Sequence, residues 1–438
     1  MTNYRSSGRL AIKACFFVVW MVLFARCVDS GLRTPSSEIK RLDSMIQVNE
    51  IFKARRFFEL RKSNFSEYNQ LRFEAILGNY FNAPEKSNEA INKLYEQYDQ
   101  RLNDSIRYRL LRIKLQNFAK LFQYRDAAEV SNLLLVEHAN FLDSAGVSDI
   151  KNQFNIWNGL SNYPPQSMVK SARSEIKLVD GFKLPVSFLN SDSTTALLFD
   201  TGAGFSVITE TLARRMEMKF LDVSLVVKNI LGDNIYSKLA ISSALQLGNV
   251  RFSNVVFMVF PDESLFFPAA NFQMNGILGF PVINALEEMQ ISTNGIFTVP
   301  IETSDNAYSN LALDFVTPVI EVVTSEDSLP FTFDSGANRT WLHKKYYTKY
   351  RENIESRYDT TSLHLAGING DAFYPGYKVD FQLNFDSTTI DLKSVPLMIE
   401  SANEASKYYY GNLGQDAIKS FDEMTVSFKH MFVMMSTN

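Results

Sequence analysis

Cysteine and histidine are scarce in this chain, and their scarcity excludes several kinds of site. The 438 residues include two cysteines, Cys15 and Cys27, and both lie within the first thirty positions. The rest of the chain can therefore form no internal disulfide and no cysteine-ligated metal centre. The four histidines are scattered and match no metal-ligand spacing such as HExxH. We expect no metal and no cofactor, although a site built from carboxylates alone is left open.

The chain also lacks an excess of basic residues. Its 44 lysines and arginines face 48 acidic residues, which gives a net charge of -4, and the two signs are mixed along the sequence. A nucleic-acid-binding protein needs a basic stripe or patch, so we expect no nucleic-acid partner. The apolar fraction of 46% and the charged fraction of 21% are those of folded proteins, and the length allows two or three domains.

The longest apolar run is confined to the N-terminus. Arg5, Arg9 and Lys13 precede the run ACFFVVWMVLFA at residues 14–25. A basic start followed by an apolar stretch of this length predicts a secretory or lipoprotein signal within residues 1–30. The run is short for a membrane span. We expect an exported protein of the periplasm or cell envelope. We expect the N-terminal segment to be cleaved, kept as a membrane anchor or lipidated at Cys27. Arg26 is an unusual residue to find directly before a lipidated cysteine.

Residues 36–162 show the spacing of helices. Apolar residues recur every three or four positions, and small residues Gly78 and Ala90 lie between Leu77 and Leu94 in a pattern that resembles a tetratricopeptide repeat (TPR). We predict a TPR-like domain of helical hairpins. It either docks a protein partner or packs on the neighbouring domain. The two prolines of SNYPPQS (161–167) end the helical pattern.

The remaining chain alternates short β-branched and aromatic runs with turn residues, which predicts a mainly β structure. Within it the sequence repeats. The segment LLFDTGAGFSVI (197–208) is matched by FTFDSGANRTWL (331–342), and this places Asp200 and Asp334 134 positions apart. Each aspartate ends an apolar strand and is followed by a hydroxyl residue and a glycine. A carboxylate buried in this way must be paired or hydrogen-bonded, or it must take part in the chemistry of the protein.

Two further matches keep the same spacing. GILGFPVINALEEMQIS (276–292) is matched by GNLGQDAIKSFDEMTVS (411–427), and Gly232 is matched by Gly367. Each pair is 135 positions apart. We predict two equivalent units, which we call the first repeat (residues 168–303) and the second repeat (residues 308–438).

The paired motifs resemble those of the retropepsin and pepsin-like aspartic proteases, over residues 170–438. The resemblance implies two β lobes that meet at a cleft, behind an N-terminal helical region. It implies that Asp200 and Asp334 form a catalytic pair. Two carboxylates at close approach share one proton, so that one activates a water as a base and the other polarises the scissile carbonyl as an acid. Such a site acts on polypeptides without metal, cofactor or covalent intermediate.

The neighbouring residues support the pair. Gly202 and Gly336 let backbone N–H groups approach the carboxylates. The resemblance implies that the hydroxyls of Thr201 and Ser335 bond across the lobe interface.

Two departures and two weaker candidates complete the pattern. Asn412 occupies a position that is apolar in the first repeat. Arg339 either faces the two aspartates, where its charge would lower their pKa, or faces solvent. Hairpins near residues 230–240 and 365–377 are flap candidates. Their aromatic residues Tyr236 and Phe373 either cover the substrate or pack within the hairpin.

Three functions agree with this sequence. The first is an aspartic endopeptidase. The second is a non-enzymatic module that holds a peptide in a protease-like cleft. The third is a protease precursor in which the helical region covers the cleft until it is removed. A distorted pair or a plugged cleft would favour the second.

Overall fold

The computed structural model describes residues 36–437 except 190–192, 229–233, 268–270, 306–308, 326, 368–369, 386–387 and 402–404. The predicted signal segment at residues 1–30, with Cys27, lies outside the described residues, as do the tips of both candidate flaps. In the part of the chain that is described, no helix has the length and apolar character needed to cross a membrane.

Consecutive α-helices occupy residues 36–160. They are α1 (Ser36–Gln47), α2 (Ile51–Arg61), α3 (Glu67–Tyr80), α4 (Pro84–Tyr98), α5 (Asp104–Lys120), α6 (Tyr124–Glu137) and α7 (Ser144–Leu160). Polar side chains start two of them: Asn103 accepts a hydrogen bond from the Ile106 N–H (2.9 Å), and Asp143 accepts one from the Gly146 N–H (2.8 Å). The first strand begins at Ser167, after the two prolines. The predicted order, a helical region followed by a mainly β region, is confirmed.

The strands of the first repeat form an eight-stranded sheet, a two-stranded sheet and part of a third sheet. They are β1 (Ser167–Lys170), β2 (Ser174–Lys177), β3 (Lys183–Phe188), β4 (Thr195–Phe199), β5 (Ser206–Thr209), β6 (Lys219–Lys228), β7 (Asn234–Leu247), β8 (Val250–Phe260), β9 (Phe266–Phe267), β10 (Phe272–Gln273), β11 (Gly276–Leu278), β12 (Glu288–Ser292) and β13 (Ile296–Val299). Two short helices join them, α8 (Glu210–Arg215) and α9 (Phe280–Ala285). The eight-stranded sheet has the order β1-β8-β5-β11-β4-β3-β7-β6, and β7 also pairs with β8.

The second repeat has matching elements. Its strands are β14 (Leu311–Asp314), β15 (Thr317–Val323), β16 (Ser328–Phe333), β17 (Trp341–Leu342), β18 (Thr360–Gly367), β19 (Gly370–Phe385), β20 (Thr388–Met398), β21 (Gly411–Leu413), β22 (Glu423–Ser427) and β23 (Phe432–Ser436). Its helices are α10 (Lys344–Glu355), α11 (Ala405–Tyr408) and α12 (Gln415–Ile418). The second eight-stranded sheet has the order β14-β15-β16-β21-β17-β20-β19-β18, and β15 also pairs with β19.

The two sheets place equivalent strands in equivalent positions. In each, the strand before the aspartate (β4 or β16) pairs in parallel with the strand of the later glycine motif (β11 or β21). That strand in turn pairs antiparallel with the strand after the aspartate (β5 or β17). The sequence repeat is therefore a repeat of strand pairing.

A five-stranded sheet joins the two repeats. Its order is β2-β13-β12-β22-β23, so the first repeat supplies β2, β13 and β12 and the second supplies β22 and β23. The strands β12 and β22 pair antiparallel from Glu288 opposite Ser427 to Ser292 opposite Glu423. One apolar cluster runs from the first repeat through this sheet into the second.

The helical region packs against both repeats. At one end, Ile51 and Phe52 of α2 bury against Ala312, Val319 and Tyr409 of the second repeat. At the other end, Trp157 and Leu160 of α7 share an apolar cluster with residues of β6, β7 and β8 in the first repeat.

Candidate active site

Asp200 and Asp334 occupy equivalent positions at the ends of equivalent strands. Each follows an interior strand of its sheet, β4 or β16. The Asp200 N–H donates to the Leu278 carbonyl (3.1 Å), and the Asp334 N–H donates to the Leu413 carbonyl (3.0 Å). The sequence folds this way because the strand before each aspartate is mostly apolar and all its residues are buried or partly buried, which fixes the polar residue at the strand end.

The structure brings the two carboxylates together, each against the glycine of the opposite loop. A Cβ atom added to Gly202 would lie 2.7 Å from Cγ of Asp334, and one added to Gly336 would lie 2.4 Å from Cγ of Asp200. Neither loop could carry a larger residue there without moving a carboxylate. Within its own loop, each glycine N–H donates to Oδ1 of its aspartate, at 2.8 Å for Gly202 and 2.9 Å for Gly336.

Thr201 and Ser335 bond reciprocally across the interface of the two repeats. The Thr201 hydroxyl donates to the Phe333 carbonyl (2.9 Å) and accepts from the Ser335 N–H (2.9 Å). The Ser335 hydroxyl donates to the Phe199 carbonyl (2.9 Å) and accepts from the Thr201 N–H (3.0 Å). Both side chains are fully buried. These four bonds hold the ends of β4 and β16, and therefore both aspartates, in one fixed relation.

The pair holds a proton more tightly than an isolated carboxyl does. Burial raises the pKa of Asp200 above its usual value, and the nearby charge of Asp334 raises it further. Hydrogen bonds from the backbone of Gly202 and Ala203 oppose this rise but are outweighed. The pair therefore keeps a proton over a pH range in which an exposed aspartate is ionised.

Asn412 contacts the pair, which sequence reasoning missed. It stands where the first repeat has Ile277, a difference that by itself predicts no role. Its Nδ2 donates to Oδ2 of Asp334 (3.2 Å), and its Oδ1 accepts from the Thr332 hydroxyl (2.7 Å). The available signal was the double change between the repeats, from Leu198 and Ile277 to Thr332 and Asn412. These positions are register partners in their sheets.

Arg339 and the candidate flap residues Tyr236 and Phe373 are all exposed. Arg339 is exposed, as the solvent-facing alternative requires. The hairpins β6–β7 and β18–β19 lie where flaps were expected, and their described residues end on either side of the tips. Tyr236 is 64% exposed and Phe373 is 69% exposed. Neither is packed in a hairpin core, although Phe373 stacks on His364 across the strand pair.

Helix α7 packs against the first hairpin, β6–β7. A Cβ atom added to Gly159 would lie 2.3 Å from Cγ2 of Val223, so helix and strand are in close contact at this point. Nearby, Nδ2 of Asn152 donates to the Val226 carbonyl (2.8 Å). The contact falls where the pairing of β6 with β7 shifts register between Phe220 and Ser224. The helical region thus fixes the outer strand of a candidate flap.

Comparison with known proteins identifies the segment around Asp200. A search of curated proteins finds no match to this chain. Among the described residues, no group of three or more histidine, cysteine, aspartate or glutamate side chains is placed to hold a metal ion. The sequence model of the family described as aspartyl protease matches residues 184–282, which run from β3 into α9 and include Asp200, Thr201 and Gly202. This match supports an aspartic protease domain in this part of the chain.

Proposed function

We propose that this chain is an aspartic endopeptidase whose catalytic pair is Asp200 and Asp334. The observation that carries the proposal is the meeting of the two carboxylates, each against the glycine of the opposite loop. The family match covers only the Asp200 side. The equivalent strand pairing around Asp334 supports extending the assignment to the second repeat, and with it a two-lobed aspartic-protease fold.

The two aspartates divide the chemistry between them. Asp334, ionised, takes a proton from a water molecule whose oxygen adds to the scissile carbonyl carbon, while Asp200 gives its proton to the carbonyl oxygen. In the second step Asp334 gives its proton to the amide nitrogen, and Asp200 recovers a proton from one hydroxyl as the C–N bond breaks. The products are a carboxylic acid and an amine. The pair returns to its starting state without a covalent intermediate.

The substrate we propose is a polypeptide that lies between the two hairpins. Tyr236 and Phe373 support this role because both expose large aromatic side chains on the strands beside the hairpin tips. A flap that closes over the pair would exclude water from the reacting bond.

We propose that the helical region is a permanent brace of the protease and does not have to be removed for activity. In support, it contacts both repeats. Arg56 of α2 forms two hydrogen bonds to the carboxylate of Glu321 (2.7 and 2.8 Å) in the second repeat, and Nδ2 of Asn82 donates to Oδ1 of Asn284 (2.9 Å) in the first. TPR-like docking of a protein partner, export, and anchoring through Cys27 stay predictions from the sequence.

Peptide cleavage tests the proposed activity. The purified chain is incubated with a diverse peptide pool from acid to neutral pH, beside Asp200→Asn and Asp334→Asn. Asp149→Asn, at an exposed position of α7, is the matched control. Loss of a general acid or base lowers the rate by about 10² to 10⁴-fold, so both site variants should be silent while the control cuts normally. Equal cleavage by all four proteins would refute the assignment. A folded wild type that binds peptides without cutting them would indicate the non-enzymatic module.

A further inference from the structure

The two halves of the catalytic pair differ in the strand residues beside each aspartate. In the first repeat the register partners beside the aspartate strand are Leu198 and Ile277, which are apolar. In the second repeat they are Thr332 and Asn412, which are polar. The glycine N–H donors and the reciprocal bonds of Thr201 and Ser335 occur on both sides.

Thr332 and Asn412 form a chain of hydrogen bonds that ends on Asp334. The Thr332 hydroxyl donates to Oδ1 of Asn412 (2.7 Å) and so fixes which end of the amide faces the site. The Asn412 NH₂ group then donates to Oδ2 of Asp334 (3.2 Å). Oδ1 of the same carboxylate accepts from the N–H groups of Gly336 (2.9 Å) and Ala337 (3.1 Å). Both oxygens of Asp334 therefore accept hydrogen bonds from fixed donors.

We propose that Asn412 is a positioning residue that keeps Asp334 as the ionised base and so assigns the shared proton to Asp200. This inference rests on the proposed function and deepens it by giving each aspartate one role. A donor that cannot be deprotonated favours the charged form of its acceptor. On the Asp200 side, the equivalent position offers only the methyl and methylene groups of Ile277.

Few other ionisable groups act on this carboxylate. Asp200 faces Asp334 from the opposite loop. On the elements packed beside it, Oδ1 of Asp416 is occupied by the N–H and hydroxyl of Thr340 (both 2.7 Å). His343 is buried, which lowers its pKa to about 4, so it is neutral at pH values above this. Arg339 is exposed to solvent.

Replacement by the residue of the first repeat tests the inference. In Asn412→Ile the ionised form of Asp334 loses its donor, so the lower apparent pKa of the pair should rise. The acid limb of the pH profile of kcat/KM should move up by about one to two pH units, the effect of one hydrogen bond to a charged group. The alkaline limb reports loss of the second proton, from Asp200, and should stay in place. Asn353→Ile, at an exposed position of α10, is the matched control and should move neither limb.

A second variant and a second readout keep the outcome decisive. Thr332→Val leaves Asn412 in place but releases its amide, and it should move the acid limb in the same direction by a smaller amount. The carboxyl carbon signals of the pair, followed by NMR against pH, should show the same rise of the lower midpoint in Asn412→Ile.

The outcomes separate this inference from the proposed function. A wild type without peptidase activity would contradict the proposed function, and the carboxyl titration would still decide the role of Asn412. An acid limb and a lower midpoint that stay unchanged in folded Asn412→Ile would overturn the inference. Equal movement of both limbs would overturn it as well, because a general loosening of the site does not act on one proton only.

Discussion

Ser335→Ala should weaken the junction of the two repeats much more than the loss of one exposed hydroxyl would. The Ser335 side chain is fully buried and makes two of the four reciprocal bonds. Its removal leaves the Phe199 carbonyl without its donor and the Thr201 N–H without its acceptor. No solvent reaches this position to replace them.

The structure sets the size of the effect. A buried polar group left without a partner costs about 1–3 kcal/mol, so two such groups cost about 2–6 kcal/mol of unfolding free energy. Domains are stable by about 5–15 kcal/mol, so the variant should remain folded but markedly weaker. Peptide cleavage should fall as well, because the strand ends that carry both aspartates lose their fixed relation.

Chemical denaturation and peptide hydrolysis measure the two effects. The matched control is Ser335→Thr, which keeps the hydroxyl and copies the residue of the first repeat. It should retain most of the stability and activity. Thr201→Ala completes a double-mutant cycle, in which the two changes should be strongly non-additive because they share the same junction. If Ser335→Ala unfolds at the wild-type denaturant concentration and cuts at the wild-type rate, the argument fails.

Two further predictions concern stability. Asp200→Asn should stabilise the protein near neutral pH. The pKa of Asp200 is raised in the folded state, so the stability that its neutral carboxyl contributes is complete below the unfolded pKa of about 4. That stability is lost as the pH rises through the folded pKa. Asparagine does not titrate, so the variant avoids this loss. The gain in Tm over wild type should therefore grow from pH 4 to 7, and a constant difference would contradict this. Gly159→Ala should cost about 1–3 kcal/mol by overpacking α7 on β6, and Val223→Ala in the same chain should restore part of the loss. Denaturation of the double variant checks this, and a purely additive result would count against the contact.

The repeat made much of the β region predictable. Local patterns place Asp200 and Asp334 at the ends of apolar strands, and the constant spacing of the matched segments implies equivalent surroundings. These features depend on residues close in sequence or on a simple copy of one unit in the other. The helical character of residues 36–160 follows in the same way from apolar spacing.

The contacts of Asn412 and Gly159 could not be predicted in this way. The bond of Asn412 to Asp334 depends on the parallel pairing of β16 with β21, whose partners lie 80 residues apart in the chain. The contact of Gly159 with Val223 depends on how one domain packs on another. Neither arrangement leaves a periodic signal in the sequence. Asn412 could therefore be recognised only as a polar residue at a position that is apolar in the first repeat.

The shared five-stranded sheet has a consequence for synthesis of the protein. When the ribosome has completed the first repeat, β12 has β13 on one side and an unpaired edge on the other, because β22 has not yet been made. The missing partner emerges some 135 residues later. At translation rates of about 5–20 residues per second, this edge waits for roughly 7–27 seconds. An open edge of this kind pairs readily with other chains. The nascent chain therefore passes through a period in which it depends on dilution or chaperones to remain monomeric.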